Sequence, residues 1–193
     1  MSQKLTTEIL VSAYCQGYFP MPDDKTGEIL WFRPELRAVI PLNAFHVSRS
    51  LRKALNKKTY HVTINQEFAL VMDLCSQRQE TWINDEIKAS YFQLFKRNFA
   101  HSLEIWQGSE IIGGLYGVAI RGAFFAESMF HRKTNGSKIA LYHLTEHLKA
   151  NGYLLLECQF LTNHLASLGA IEITDKEYLE RLEEALKVSP SFT

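Results

Sequence analysis

The stretch from Ile111 to Lys138, IIGGLYGVAIRGAFFAESMFHRKTNGSK, constrains this chain most. Two apolar runs meet at Arg121-Gly122, and a Gly-containing dipeptide between β-branched and aromatic residues predicts a β-hairpin. The first run carries Gly113, Gly114 and Gly117. Glycines weaken a strand, so their use is to let another group, a ligand among the candidates, approach the backbone closely. The second run sets Glu127 between Ala126 and Ser128. An ionised carboxylate in an apolar strand costs several kcal/mol unless it is paired or its pKa rises, so Glu127 is either a paired structural acid or part of a site.

At 193 residues, 46% hydrophobic, the chain suits one large domain or two small ones with an ordinary core. It shows neither a run of eighteen or so apolar residues nor a basic-then-apolar leader, and this predicts a soluble cytoplasmic protein with no membrane partner. Cys15, Cys75 and Cys158 are odd in number and lack CxxC spacing, which argues against disulfides and zinc and predicts buried thiols. The net charge is zero but uneven. No acid lies between Glu35 and Glu67, where Arg37, Arg49, Arg52, Lys53, Lys57 and Lys58 all fall, and that imbalance suggests a local polyanion contact.

Thr6 or Thr7 caps a first helix to about Gln16, stopped by Gly17, and Pro20 and Pro22 exclude helix after it. Arg37 to Leu42 reads as a short strand. His46 to Lys58 reads as a helix capped by Ser48, with Leu51 and Leu55 inward and Arg49, Arg52, Lys53 and Lys57 along one stripe. That stripe suits a phosphate backbone or plain solvent. A strand at His61 to Asn65, a helix at Phe68 to Ser76, a helix from Asn84 or Asp85 to Phe99 and a strand at His101 to Trp106 lead to the hairpin. Beyond it, a helix from Ser137 to Ala150 contains His143-Leu144-Thr145-Glu146-His147, matching the H-x-x-E-H pattern of inverted zinc proteases, although no third ligand can be named. Tyr153 to Leu161 reads as one buried strand, on which Glu157 and Gln159, two apart, share a face. A short helix at Asn163 to Ser167 and a strand at Ala170 to Ile173 precede a polar tail.

In combination the segments AYCQGYFPM, WFRPELRAVIPL, FHVSRSLRK, TWI, GGLYGVAIRGAFFAESMF, SKIAL and ECQFLTNHLASLGAIEI resemble those of the leucyl/phenylalanyl-tRNA-protein transferase family, in order and over most of the chain. The resemblance implies an α+β fold. Its core would be an acetyltransferase-like (GNAT-like) domain at 46–193, with a mixed, largely antiparallel sheet flanked by helices, and residues 1–45 would form a reduced N-terminal region, the chain beginning just after a glycine-rich family motif. It also implies transfer of leucine or phenylalanine from aminoacyl-tRNA to the N-terminal α-amine of proteins beginning with Lys or Arg, which marks them for degradation. No metal or cofactor would be needed, and the enzyme is expected to be a monomer.

By the same resemblance Arg49, Arg52 and Lys53 would contact tRNA. Tyr14, Trp82 and Tyr91 would line the terminal-adenosine site. Leu115, Phe124, Met129, Leu141, Leu148 and Leu156 would form the aminoacyl pocket, and Gln159, Glu157 and Glu127 the catalytic centre. The chain departs from the family where Asp-Cys-Gln becomes Glu157-Cys158-Gln159 and where Ser after ESMF becomes His131. An acyltransferase using another donor such as acyl-CoA, and a non-catalytic tRNA-binding module, are the competing readings.

Overall fold

The computed structural model describes residues 5–23, 26–77 and 81–193. In chain order its elements are α1 (Thr7–Cys15), β1 (Phe19–Pro22), β2 (Ile29–Phe32), β3 (Leu36–Val39), α2 (Arg49–Lys57), β4 (His61–Ile64), α3 (Phe68–Ser76), α4 (Asp85–Lys96), β5 (Ala100–Gln107), β6 (Glu110–Ile120), β7 (Ala123–His131), α5 (Gly136–Ala150), β8 (Leu155–Glu157), α6 (Asn163–Ala166), β9 (Ile171–Thr174) and α7 (Asp175–Lys187). Several starts follow the side-chain chemistry of their caps. Thr6, Ser48 and Asn84 each accept a hydrogen bond from the backbone N–H three residues on, which satisfies a donor that the first helical turn leaves free.

Seven strands form one sheet in the order β4-β5-β6-β7-β8-β3-β9, and the hairpin strands β6 and β7 lie inside it. Only the β7–β8 pair is parallel; the other neighbours run antiparallel. Both faces are covered. Leu10, Val71, Ile87, Leu94 and Leu182 of α1, α3, α4 and α7 pack with Tyr116, Val118 and Phe125 on one side. Leu51, Leu144 and Leu148 of α2 and α5 pack with Leu115 and Phe124 on the other. Burial on both sides explains why β6 is apolar throughout instead of alternating with polar residues. The expected mixed α+β architecture is thus present.

Gly113 serves the protein's own backbone. A Cβ there would stand 2.4 Å from the carbonyl carbon of Gly136, so this residue admits the N-terminus of α5 against β6.

Several local expectations are corrected. The strand expected over 153–161 is only Leu155–Glu157, because Gln159 takes φ +63° and leaves the extended conformation. The polar tail contains α7, whose Tyr178, Leu182 and Ala185 are buried on one helical face. Phe19–Pro22, read only as non-helical, pairs antiparallel with Ile29–Phe32 as a separate ribbon. Helix α4 stops at Lys96, three residues short of Phe99, and Asn98 follows at φ +58°. Cys15 is only half-buried. Strand β3, upstream of residue 45, is an interior member of the sheet.

Candidate active site

Strands β7 and β8 pair in parallel from Ala123/Leu155 to Phe125/Glu157, and there the ladder ends. Beyond that point the chain after β8 stays with β3: Cys158 N–H donates to the Ala38 carbonyl at 2.8 Å, and Ala38 N–H to that of Gln159 at 3.0 Å. The two strands therefore part. A cleft of about 440 Å³ opens between them, walled by Ala126 to Met129 on one side and Cys158 to Phe160 on the other.

A β-bulge aims the first carboxylate. Tyr116 pairs with Ser128 and Gly117 with Ala126, so Glu127 is an extra residue opposite none. Gly117 is required there, since a Cβ would lie 2.3 Å from the Phe125 carbonyl oxygen. The Tyr14 hydroxyl donates to Glu127 Oε1 at 2.6 Å and that of Tyr91 to Oε2 at 3.2 Å, while the two phenols touch each other. Burial pushes the Glu127 carboxyl up to about 7, with the Glu157 charge adding, against the lowering hydrogen bonds of Tyr14, Gln159 and Tyr91. Burial and the neighbouring carboxylate raise both phenols well above their ordinary value.

The second carboxylate is an anchor. Glu157 Oε1 receives Arg37 Nε at 3.1 Å, Arg37 Nη2 at 2.8 Å and the Gln159 backbone N–H at 2.6 Å. Arg37 and Glu157 are 1% and 0% exposed. The guanidinium also reaches the Gly17 carbonyl at 2.5 Å and stacks over the Tyr178 ring at 4.1 Å. Burial pushes the Glu157 carboxyl upward while Arg37 pulls it down, and Oε2 is buried without a hydrogen-bond partner. The effect on Gln159 is conformational: a left-handed non-glycine residue, strained by roughly 1–2 kcal/mol, is held by Glu157 at its N–H and Ala38 at its carbonyl. Its side-chain amide lies beside Glu127 and favours the charged form of that carboxyl. One network thus runs from Arg37 through Glu157 and Gln159 to Glu127 and the two tyrosines.

Glu127, Glu157 and Gln159 come together as expected, but not as a strand-face pair. Leu115, Met129 and Leu141 line the cleft, whereas Phe124, Leu148 and Leu156 are buried in the core layer beneath them. Trp82 lines the cleft too. Tyr14 and Tyr91 are 1% and 0% exposed, so no base can stack on them; they hold Glu127 instead. Arg49, Arg52, Lys53 and Lys57 are exposed on α2. Arg37, grouped with them by charge, is withdrawn into the ion pair with Glu157.

The zinc pattern dissolves. His143 Nε2 pairs with the Tyr60 hydroxyl at 2.9 Å and His147 Nε2 with the Phe192 carbonyl at 2.8 Å, and no cluster of three metal-ligating side chains exists among the described residues. The sequence reading missed Phe160, which stands 46% exposed on the cleft rim, and Thr162 and His164 on its wall. It also missed Arg37 as a partner, although a lone cation within the apolar run around Ala38 to Ile40 calls for a buried acid.

The family model described as leucyl/phenylalanyl-tRNA protein transferase matches residues 39–183, and that of the family's N-terminal domain matches residues 3–35. A leucyl/phenylalanyl-tRNA--protein transferase of Ruegeria pomeroyi is 50% identical over 97% of this chain and 90% of its own length. One from Akkermansia muciniphila is 46% identical over 97% and 99%. Among solved structures, L-PGS from Bacillus licheniformis is similar at 16% identity and a TM-score of 0.44, over 84% of this chain and 55% of that one. A soil-metagenome aminoglycoside acetyltransferase is similar at 12% and 0.43, over 56% and 82%. By sequence match along nearly its whole length, the chain belongs to the leucyl/phenylalanyl-tRNA protein transferase family.

Proposed function

We propose that this protein transfers leucine or phenylalanine from aminoacyl-tRNA to the N-terminal α-amine of acceptor proteins, typically beginning with Lys or Arg and thereby marked for degradation. The observation that carries the reading is the position of Glu127: a carboxyl of pKa about 7 set by a bulge at the wall of an apolar cleft. The donor is an ester already activated for attack, so the enzyme must orient a neutral amine, lower the cost of charge on the carbonyl oxygen and release the ribose. A C–N bond forms and the ester C–O bond breaks; the amine's proton passes to Glu127 and the leaving ribose oxygen takes one up. A carboxyl poised near neutrality is suited to both halves of that exchange.

Gln159 is the amide that joins this carboxyl to the cleft, and Glu157 is its positioning residue. Leu115, Met129 and Leu141 supply the apolar floor that favours leucine and phenylalanine side chains. Trp82 offers a stacking face to the terminal adenosine, and Arg49, Arg52 and Lys53 take the tRNA backbone. The core at 46–193 is read as acetyltransferase-like, with residues 1–45 lending it β3 and the Tyr14 contact, and the enzyme as a cytoplasmic monomer. No helix of the described residues is long and apolar enough to cross a membrane. The test is incubation of purified protein with radiolabelled Leu-tRNA and a peptide beginning with Arg. Label in the peptide is the expected result; label remaining on the tRNA overturns the reading.

A further inference from the structure

Of the apolar side chains that line the cleft, only Phe160 is exposed among the described residues, at 46%. A single exposed ring is ordinary on a protein surface, but this one is held in place. Its centroid lies 5.7 Å from that of Phe19, with the two planes at 84°. Phe19 in turn is 1% exposed, stacks with Phe32 at 6.1 Å and lies under the Arg37 guanidinium at 5.0 Å. Arg37 is also the residue that, through Glu157, fixes the Gln159 backbone. One buried cation thus braces two consecutive residues of the cleft wall.

The two sides of the cleft differ in what they offer. Met129 on β7, with Leu115 of β6 and Leu141 of α5, makes the apolar floor read above as the seat of the donor's leucine or phenylalanine side chain. Phe160 stands on the opposite wall, directly after Gln159 and so about 3.8 Å from it in Cα spacing. In the transfer reading the attacking nitrogen lies between Gln159 and Glu127, and the acceptor's first side chain branches from the carbon bonded to that nitrogen. A side chain that leaves this point away from the floor meets the Phe160 ring.

Charge then decides which side chains gain from that contact. Among the described residues Glu127 is the one carboxylate lining the cleft, and its oxygens are held by Tyr14 and Tyr91. What remains for a cationic side chain is an aromatic face, which attracts an ammonium or guanidinium through its quadrupole and covers the aliphatic stem behind it. Resting on the transfer reading above, we propose that Phe160 selects the acceptor's first residue, its ring taking the stem and cationic head of lysine or arginine.

The experiment measures kcat/KM for transfer from Leu-tRNA to two peptides that differ only in the first residue, arginine or its neutral isostere citrulline. Wild type should prefer arginine by about tenfold, within the range open to a cation on an aromatic face. Phe160→Leu keeps an apolar side chain and should bring that ratio close to one through a loss with the arginine peptide alone. Phe160→Tyr keeps the ring and should keep the ratio. Donor tRNA affinity and unfolding temperature should match wild type in both variants. An unchanged ratio in Phe160→Leu, an equal loss with both peptides, a lost ratio in Phe160→Tyr or a fall in donor affinity overturns the inference and leaves the transfer reading standing. So does a wild type that uses the two peptides equally. A wild type that transfers to neither overturns both.

Discussion

The Gln159 backbone N–H donates to Glu157 Oε1 at 2.6 Å, and this bond holds Gln159 in the left-handed conformation that carries its amide to Glu127. Strain of this kind persists where surrounding structure over-determines it, and around Gln159 that structure is a buried ion pair and a neighbouring strand. On the proposed transfer reading, Glu157 is a positioning residue that acts through Gln159.

Glu157→Gln keeps the shape but leaves the Arg37 charge uncompensated at 1% exposure. Urea unfolding should show a loss of about 3–5 kcal/mol, and the double change Arg37→Met with Glu157→Leu should recover most of it without restoring transfer. A Glu157→Gln protein within about 1 kcal/mol of wild type would show that the pair is not a stability element.

The Glu127 carboxyl, ordinarily near 4.5, stands at about 7. The folded state therefore binds an extra proton between those values, and its stability falls as pH rises through them, by up to about 3 kcal/mol. His101 works in the opposite direction: burial lowers it from 6.5 to about 4, so the fold loses stability as pH falls through that window. The two overlap, and the clean measurement is the difference between wild type and Glu127→Gln. That difference should shrink toward acid pH.

Tyr14 stabilises the ionised form of Glu127. Tyr14→Phe removes that bond and should move the rising limb of the pH–rate profile from about 7 to higher pH, with Glu127→Gln abolishing the limb. An unmoved limb would assign it to another group, the acceptor amine first.

Arg49 and Arg52 face solvent on α2. Replacing both with Glu should weaken donor tRNA binding for all sequences alike and flatten its salt dependence, by about 0.9 in slope for each phosphate that the helix no longer neutralises. An unchanged slope would leave the stripe a solvated face.

How much of this was legible follows from the range of each interaction. Ser48, Asn84 and Thr6 announce helix starts because a cap bonds three residues away. Glu127 stands out because it is a charge in an apolar run. Its tyrosine partners do not, being 113 and 36 residues distant in the chain with no local pattern to mark them. Glu157 and Gln159 were correctly coupled on a mistaken geometry: alternation on a strand predicts a shared face, whereas a positive φ at Gln159 brings its backbone onto the Glu157 carboxylate. Helix α7 was hidden by its own charge, although Tyr178, Leu182 and Ala185 have helical spacing.

The most direct test of the account is the single-turnover rate of leucine transfer from Leu-tRNA to an Arg-initiated peptide by Gln159→Gly. Glycine adopts the φ of +63° at no steric cost and removes the side chain, its amide included, while keeping the backbone N–H, so the fold and the Glu157 contact should survive, with the unfolding temperature within a few degrees of wild type. The rate should nevertheless fall by about 10² or more with tRNA affinity unchanged. A near-normal rate in that folded variant would contradict the part played by the Gln159 amide and, with it, the network that runs from Arg37 to Glu127.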